Sequence, residues 1–204
     1  MKEQKCTKKH KNIKKHKDQA PKHGSSIDYY SWDYTLSDAE CDFLIHDCSK
    51  GEVEKARIMG SPFKTYPETR ITDLVWVDRT KLIHRAMVNF MLEANQNYFK
   101  YDITNSEQIQ FGTYQDGGHY IWHKDDSMGT KDSVRKLTVV ILLSDPDSFE
   151  GGELEVFDGV HSIYPFMKRG SIICFNCFDW HRVTPVTKGI RHTLVQWSSG
   201  PRFR

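Results

Sequence analysis

Long apolar runs and a cysteine framework are both missing from this 204-residue chain. No apolar run approaches the roughly 20 residues that span a bilayer, and no apolar segment follows the N-terminal charges as it would in a secretory signal. The five cysteines are an odd number without framework spacing. Such cysteine usage is typical of a reducing compartment. We therefore expect a cytoplasmic protein without a membrane partner.

Acidic residues are scarce at the N-terminus, where charge of one sign accumulates. Residues 1–24 carry nine lysines and two carboxylates, a net charge of +7, whereas the remainder of the chain carries −5. The stretch "KKHKNIKKHK" has one aliphatic residue, so residues 1–26 are predicted to be a disordered tail. We interpret the tail as a solubilising segment, a tether for nucleic acid or another anionic surface, or an aid to metal loading.

The remaining residues, 27–204, are long enough for one domain with a sizeable core. Aromatic and β-branched runs predict strands at 28–34 and 70–77. Ser37 and Glu40 have the spacing of a capping box, which predicts a helix to about residue 49. A second helix over 79–99 is predicted from apolar residues at helical spacing, namely Leu82, Ile83, Ala86, Met87, Phe90, Met91 and Ala94.

From residue 107 onward, eight short β-rich runs follow one another, separated by Gly, Pro, Asp and Ser. Short strands at regular spacing are typical of a sandwich or barrel. The sequence therefore predicts a mainly β protein of the α+β class. Residues 27–106 would supply helices that pack on one sheet, and residues 107–204 would form the β half.

The stretch "HYIWHKDDS", residues 119–127, places polar side chains inside a predicted strand. Residues two apart in a strand point the same way, so one face should carry His119, Ile121, His123 and Asp125 and the other Tyr120 and Trp122. An imidazole and a carboxylate side by side are either a hydrogen-bonded pair or part of a metal site.

A third ligand would have to come from another strand, and the downstream candidates are His161, His181 and His192. Two histidines and one carboxylate form a facial triad that leaves positions open on the metal, which suits Fe(II) oxygenase chemistry. A structural zinc site would need four ligands, usually with cysteine. Cys174 and Cys177 have no second cysteine pair, so we predict that they pack as ordinary strand residues.

Four stretches carry a resemblance to a known family: "YQDGGHYIWHKD", "SDPDSFEGGELEVFDG", "KRGSIICF" and "HRVTPVTKGIR". They resemble the 2-oxoglutarate- and Fe(II)-dependent oxygenases, and most closely the prolyl 4-hydroxylase-like enzymes, including the bacterial and phage PKHD-type hydroxylases. The resemblance covers about 107–197. It implies a double-stranded β-helix, that is, a jelly-roll or cupin-like barrel. It also implies a hydroxylase that uses Fe(II), 2-oxoglutarate and O₂, with L-ascorbate as a candidate reductant.

The same resemblance implies roles for individual residues. It places His123, Asp125 and His181 on the iron and Arg191 opposite the far carboxylate of 2-oxoglutarate, where a guanidinium can pair bidentately. It implies that Tyr114 donates a hydrogen bond to that carboxylate and that Thr138 adds a hydroxyl to the same pocket. It also implies that Trp197 forms an aromatic wall near the iron and that Tyr120 lies on the substrate side.

Strict alternation, however, would point Tyr114 and Tyr120 away from the ligand face. A bulge at Gly117–Gly118 could reset the direction of Tyr114 but not that of Tyr120.

By this resemblance the substrate is a prolyl or other amino-acid side chain in a peptide or protein, with a free amino acid or small metabolite as the alternative. A nucleic-acid demethylase of the AlkB type would suit the lysine-rich tail. It is less favoured, because Trp197 lies where a second arginine would be expected. A barrel that only binds metal, or a zinc hydrolase, fits the triad and Arg191 less well. Residues 59–69 are interpreted as a loop over the site or a plain connector.

Overall fold

The structure is a computed structural model that describes residues 29–32, 36–56, 68–126, 132–157, 162–165 and 167–203. The predictions for the basic tail and for residues 59–67 lie outside the described residues, as does the alternative ligand His161.

The described residues form two α-helices and fifteen short strands. The helices are α1 (Asp38–Cys48) and α2 (Leu82–Ala94). The strands are β1 (Tyr29–Trp32), β2 (Glu54–Lys55), β3 (Arg70–Ile71), β4 (Asp73–Val77), β5 (Asn105–Ser106), β6 (Ile109–Tyr114), β7 (His119–His123), β8 (Ser133–Leu142), β9 (Phe149–Gly151), β10 (Leu154–Phe157), β11 (Ser162–Ile163), β12 (Ile172–Asn176), β13 (Trp180–Val183), β14 (Val186–Gly189) and β15 (Arg191–Pro201). All eight strand runs predicted after residue 107 are present.

Two antiparallel sheets face each other. The larger sheet has the order β1-β12-β8-β15-β6-β4-β2, with β5 added beside β15, and the smaller has the order β11-β10-β13-β7-β3. Strands β9 and β14 form a separate pair. The apolar layer between the sheets joins Val140, Ile173 and Phe175 of the larger sheet to Leu154 and Val156 of the smaller. This is the mainly β architecture that the sequence predicts, with two stacked sheets that are not hydrogen-bonded into one closed barrel.

Both helices pack on the outer face of the larger sheet. Because side chains alternate along a strand, Val139 and Ile141 of β8 turn outward while Thr138 and Val140 turn inward. The outward residues share one buried cluster with Met87 and with residues of both helices. Burial of a side chain of this size contributes about 1.5–3 kcal/mol to stability. The helical layer thus leaves the inner face of the sheet to build the site.

The helix ends follow local chemistry. At α1 the capping box is complete, because the Ser37 hydroxyl accepts from the Glu40 amide and the Glu40 carboxylate accepts from the Ser37 amide at 2.8 Å. The second helix is shorter at its start than predicted, since an Asp78–Thr80 turn precedes it. It then widens into a π-helical turn over Asn95–Phe99 and ends at Lys100, whose φ of 61° is left-handed.

The predicted strand at 70–77 is in fact two strands, divided at Thr72. Strand β3 pairs with β7 in the smaller sheet, whereas β4 pairs with β6 in the larger one. The chain therefore crosses from one sheet to the other at Thr72. This crossing, which the sequence of 70–77 does not reveal, brings Arg70 beside β7.

Candidate metal centre

Two imidazoles and one carboxylate converge where β7 and β13 lie side by side. His123 is directly opposite His181 in this pairing, and Asp125 is held just beyond β7 by its amide, which donates to the Cys177 carbonyl at 2.8 Å. The ligand atoms of the three side chains lie within 4.8 Å of one another. No other group of His, Cys, Asp and Glu in the described part of the chain meets this geometry.

Backbone carbonyls set the direction of both imidazoles. Nδ1 of His123 lies 2.8 Å from the Ile121 carbonyl oxygen, and Nδ1 of His181 lies 2.9 Å from that of Asp179. A hydrogen on Nδ1 donates to each carbonyl and leaves Nε2 as the electron-pair donor. The two Nε2 atoms face Asp125, at 3.6 Å from Oδ1 for His123 and 3.3 Å from Oδ2 for His181. Such outer hydrogen bonds are typical of metal-binding histidines.

The Asp125 carboxylate is fixed by two further donors from the larger sheet. Its Oδ2 accepts from the Thr138 hydroxyl at 2.9 Å and from the Trp197 indole N–H at 2.8 Å. Thr138 and Trp197 are direct partners in the β8–β15 register. Burial alone would raise the pKa of Asp125, but His181, His123 and the Trp197 indole N–H together hold it well below its usual range. The group is therefore an anion ready to bind a cation.

The two histidines differ in charge preference. Burial and the neighbouring His181 lower the pKa of His123 to about 3. Burial also acts to lower the pKa of His181, but the adjacent Asp125 outweighs it and the pKa is raised. His123 is thus neutral at pH 7, as a ligand must be. The donor set of two imidazole nitrogens and one carboxylate fits a divalent ion such as Fe(II).

The triad lies in a cavity of about 520 Å³ between the two sheets. Every predicted site residue lines it, together with side chains from both sheets. The lining consists of Arg70, Trp76, Gln110, Tyr114, Tyr120, His123, Lys124, Asp125, Arg135, Thr138, Val140, Leu154, Phe175, His181, Val183, Arg191, Thr193, Val195 and Trp197.

Arg191 begins β15, opposite Tyr114 in the register. Its side chain is 3% exposed and its Cζ lies 5.4 Å from the Tyr114 ring centre. Burial lowers the pKa of this guanidinium. No carboxylate forms an ion pair with it anywhere in the described ranges. Gly152 makes room for it: a Cβ there would lie 2.9 Å from Arg191 Cδ. Gly152 of the Gly-Gly-Glu-Leu stretch therefore leaves the space that the Arg191 side chain occupies.

The predicted orientation of Tyr120 is wrong. The β7–β13 register shifts, since His181 pairs with His123 but Val183 pairs with Tyr120. One extra residue in β7 therefore places Tyr120 and His123 on the same face. The two rings stack with centroids 3.4 Å apart. Ile121 turns to the surface instead of sharing the ligand face.

Tyr114 also faces the cavity, but not because of a bulge at Gly117–Gly118. Its strand, β6, belongs to the larger sheet and β7 to the smaller, so alternation is not continuous between them. Gly117, with φ of 83°, lies in the turn that joins the two sheets.

Other predicted residues lie as follows. Thr138 contacts Asp125 and also Cys177, whose Sγ is 3.2 Å from the hydroxyl. Burial raises the pKa of Cys177 well above its usual value, so it packs as predicted, but it lies in the turn after β12 and not in a strand. His192 directly follows Arg191 on β15, faces away from the cavity and stacks on Phe111 at 5.2 Å.

Sequence reasoning missed Arg70, Trp76, Gln110 and Lys124, all of which line the cavity. Lys124 could have been suspected, since it stands between the two ligands His123 and Asp125. The others lie on strands with no motif of their own, and only the sheet crossing at Thr72 shows where Arg70 points.

Comparison with known proteins agrees with this geometry. Residues 109–199 match the family model of the 2OG-Fe(II) oxygenase superfamily. A PKHD-type hydroxylase from Teredinibacter turnerae is 36% identical over 92 residues, which cover 43% of this chain and 41% of that protein. The predicted resemblance to the 2-oxoglutarate- and Fe(II)-dependent oxygenases is confirmed. The chain spans about two fifths of the length of curated relatives such as this one.

Solved oxygenase structures share the fold. A Pseudomonas putida prolyl-4-hydroxylase superposes with a TM-score of 0.67 at 23% identity, covering 87% of this chain and 94% of that one. A Trichoplax adhaerens prolyl hydroxylase, solved with a peptide fragment of a hypoxia inducible factor, gives 0.67 at 15% identity, covering 83% and 82%. These likenesses confirm the double-stranded β-helix fold. In the described part of the chain, neither helix is long and apolar enough to cross a membrane.

Proposed function

We propose that this chain is a 2-oxoglutarate- and O₂-dependent hydroxylase that uses non-haem Fe(II). The observation that carries the proposal is the pairing of a His-Asp-His group with a buried Arg191 in one cavity, where Arg191 forms no ion pair with any carboxylate of the described residues. A metal ion alone would need only the first of these. An anionic co-substrate that binds the same metal needs both.

His123, Asp125 and His181 would hold the Fe(II). Bound there with 2-oxoglutarate, the ion supplies the activation of O₂ that leads to decarboxylation of 2-oxoglutarate and hydroxylation of a C–H bond. The chain contributes orientation and exclusion of water. The carbonyl contacts of both imidazoles keep their Nε2 atoms aimed at one point, and Thr138 with Trp197 holds Asp125 in place.

Arg191 and Tyr114 would bind the far carboxylate of 2-oxoglutarate. A guanidinium that is already desolvated forms a stronger charge-assisted pair than an exposed one. Thr193 and Val195 follow Arg191 on the same face of β15 and lead towards Trp197 beside the triad. One face of one strand thus connects the carboxylate-binding end of the cavity to the metal end.

For the substrate we propose a prolyl or other amino-acid side chain in a peptide or protein. Support comes from the prolyl hydroxylases that share the fold, one of which was solved with a peptide. Trp76 of β4 lines the cavity and is 39% exposed. Hydroxylation of a free amino acid is the second candidate.

The test is an anaerobic titration of Fe(II)-loaded protein with 2-oxoglutarate, followed in the visible spectrum. Chelation of Fe(II) by the keto oxygen and near carboxylate should produce a weak charge-transfer band. His181→Ala should abolish the band. His192→Ala, which changes a histidine outside the cavity, should keep it. A folded, iron-loaded wild-type protein without the band would contradict the proposal.

A further inference from the structure

The charged side chains that line the cavity carry more positive than negative charge. Four are cations and only Asp125 is a carboxylate; the cations are Arg70, Lys124, Arg135 and Arg191. Arg135 is neutralised by Glu107, which it contacts through two nitrogens at 2.7 and 2.5 Å. Arg191 is the proposed partner of 2-oxoglutarate. Two cations, Arg70 and Lys124, remain without an assigned role.

Arg70 lies close to the metal ligands. It is opposite Tyr120 in the β3–β7 register, and its Cζ lies 4.5 Å from the centre of the Tyr120 ring. That ring stacks in turn on His123 at 3.4 Å. The guanidinium is thus one aromatic ring away from a triad histidine, on the lining of the same cavity.

Within the described part of the chain, the hydrogen bonds of Arg70 are long and involve only neutral groups. Its Nε and one terminal nitrogen each lie 3.4 Å from a partner, the Thr72 hydroxyl and the Gln110 carbonyl oxygen. Among the residues that the structure describes, no carboxylate lies within ion-pair distance of it. The sequence of the preceding segment, residues 57–67, contains no Asp or Glu either. A half-buried guanidinium in this state still has donors for a carboxylate.

Lys124, unlike Arg70, lies near an acidic side chain within the described ranges. Its Nζ lies 5.3 Å from the centre of the Trp180 ring, and its charge acts to lower the pKa of the nearby Asp179. It therefore adds positive charge near the triad but has an acidic neighbour. Arg70 is the cation with no such neighbour among the residues whose structure is described.

We propose that Arg70 recognises a carboxylate of the substrate, so that the substrate is anionic close to the carbon that is hydroxylated. The inference rests on the proposed function and specifies its substrate class. A ferrous ion, the 2-oxoglutarate dianion, Asp125 and Arg191 would together carry no net charge, which leaves the charge of Arg70 for the substrate. The carboxylate can belong to an acidic residue beside the target in a peptide, or to a free amino acid.

Binding of probe molecules to the full-length protein loaded with Mn(II) tests this without turnover. The paramagnetic ion broadens the proton resonances of any molecule that binds near it. Two matched pairs serve as probes: acetyl-Glu-Pro-Glu-amide with acetyl-Gln-Pro-Gln-amide, and L-proline with L-prolinamide. The first pair represents the peptide source of the carboxylate and the second the free amino acid.

We expect the carboxylate-bearing member of one pair to bind about tenfold more tightly than its amide, as for one charge-assisted hydrogen bond. Arg70→Gln should remove this preference, and Arg70→Lys should restore part of it. Arg85→Gln, at an exposed position on α2, makes the same change of charge away from the cavity and should leave the preference intact.

Three outcomes would overturn the inference: equal broadening within both pairs, a preference that survives in Arg70→Gln, or no broadening by any probe. The measurement needs only Mn(II), so it is independent of 2-oxoglutarate. Absence of the charge-transfer band would count against the proposed function, whereas absence of a carboxylate preference in the wild-type protein, or its survival in Arg70→Gln, would count against the role of Arg70.

Discussion

The two ends of the cavity differ in how completely their charged groups are paired. At the triad end, Asp125 contacts both imidazoles and accepts from Thr138 and Trp197. At the other end, Arg191 is as deeply buried but has no carboxylate partner in the described residues. A cation site is thus preorganised by the protein itself, while the anion site is completed only by a ligand. Burying an unpaired charge costs stability, so such a residue points to binding.

The largest effect should follow from breaking the preorganised end. His181→Ala removes one of three ligands, and we expect Fe(II)-dependent conversion of 2-oxoglutarate to succinate to fall below detection while the fold is retained. Succinate formation and circular dichroism measure the two outcomes. His192→Ala is the matched control on the outer face of β15. Normal turnover in His181→Ala would show that the third ligand is another residue, with His161 as the candidate from the sequence.

A large but smaller effect is expected at the open end. Arg191→Ala should raise the apparent KM for 2-oxoglutarate roughly 10- to 100-fold, because a charge-assisted pair worth about 1.5–3 kcal/mol is lost. Steady-state kinetics at saturating Fe(II) give this value, and Fe(II) affinity measured separately should stay close to that of the wild type. If the KM does not change, another cation of the cavity must hold the co-substrate.

The groups that hold Asp125 should matter less than the ligands themselves. Thr138→Val removes the hydroxyl donor at nearly constant volume, and Trp197→Phe removes the indole N–H. Each should weaken Fe(II) binding about tenfold, the lower end of what outer-shell changes typically cost. Metal titrations of both variants test this. An equal loss of 2-oxoglutarate affinity at saturating metal would instead place the residues at the anion end, as the resemblance implied for Thr138.

The smallest effect is expected from the basic tail. Deletion of residues 1–26 should change turnover of a peptide or amino-acid substrate by less than about twofold, because the cavity and its rim supply recognition. If nucleic acid were the substrate, activity would depend on the tail. Binding would then weaken with salt by a slope of about −0.9 per phosphate neutralised. Oligonucleotide-stimulated succinate formation that is lost on truncation would contradict this expectation.

Local signals predicted most of the elements. The capping box at Ser37 and Glu40 marks the start of α1, and the apolar stripe through Met87 and Met91 marks the buried face of α2. Such patterns depend on contacts within a few residues, so the sequence carries them directly. The prediction of one strand at 70–77 is only partly correct. The strand breaks at Thr72 because its two halves join different sheets.

The sequence by itself determined which residues could form the site. The sequence shows His123 and Asp125 in an H-x-D motif, then His181, and Arg191 ten residues after it. All four residues meet in one cavity. The tertiary structure decided which way the neighbouring side chains point. The bulge in β7 turns Tyr120 onto His123, and the separation of β6 from β7 turns Tyr114 inward. Strand alternation holds only within one regular ladder, and a bulge or a change of sheet resets it.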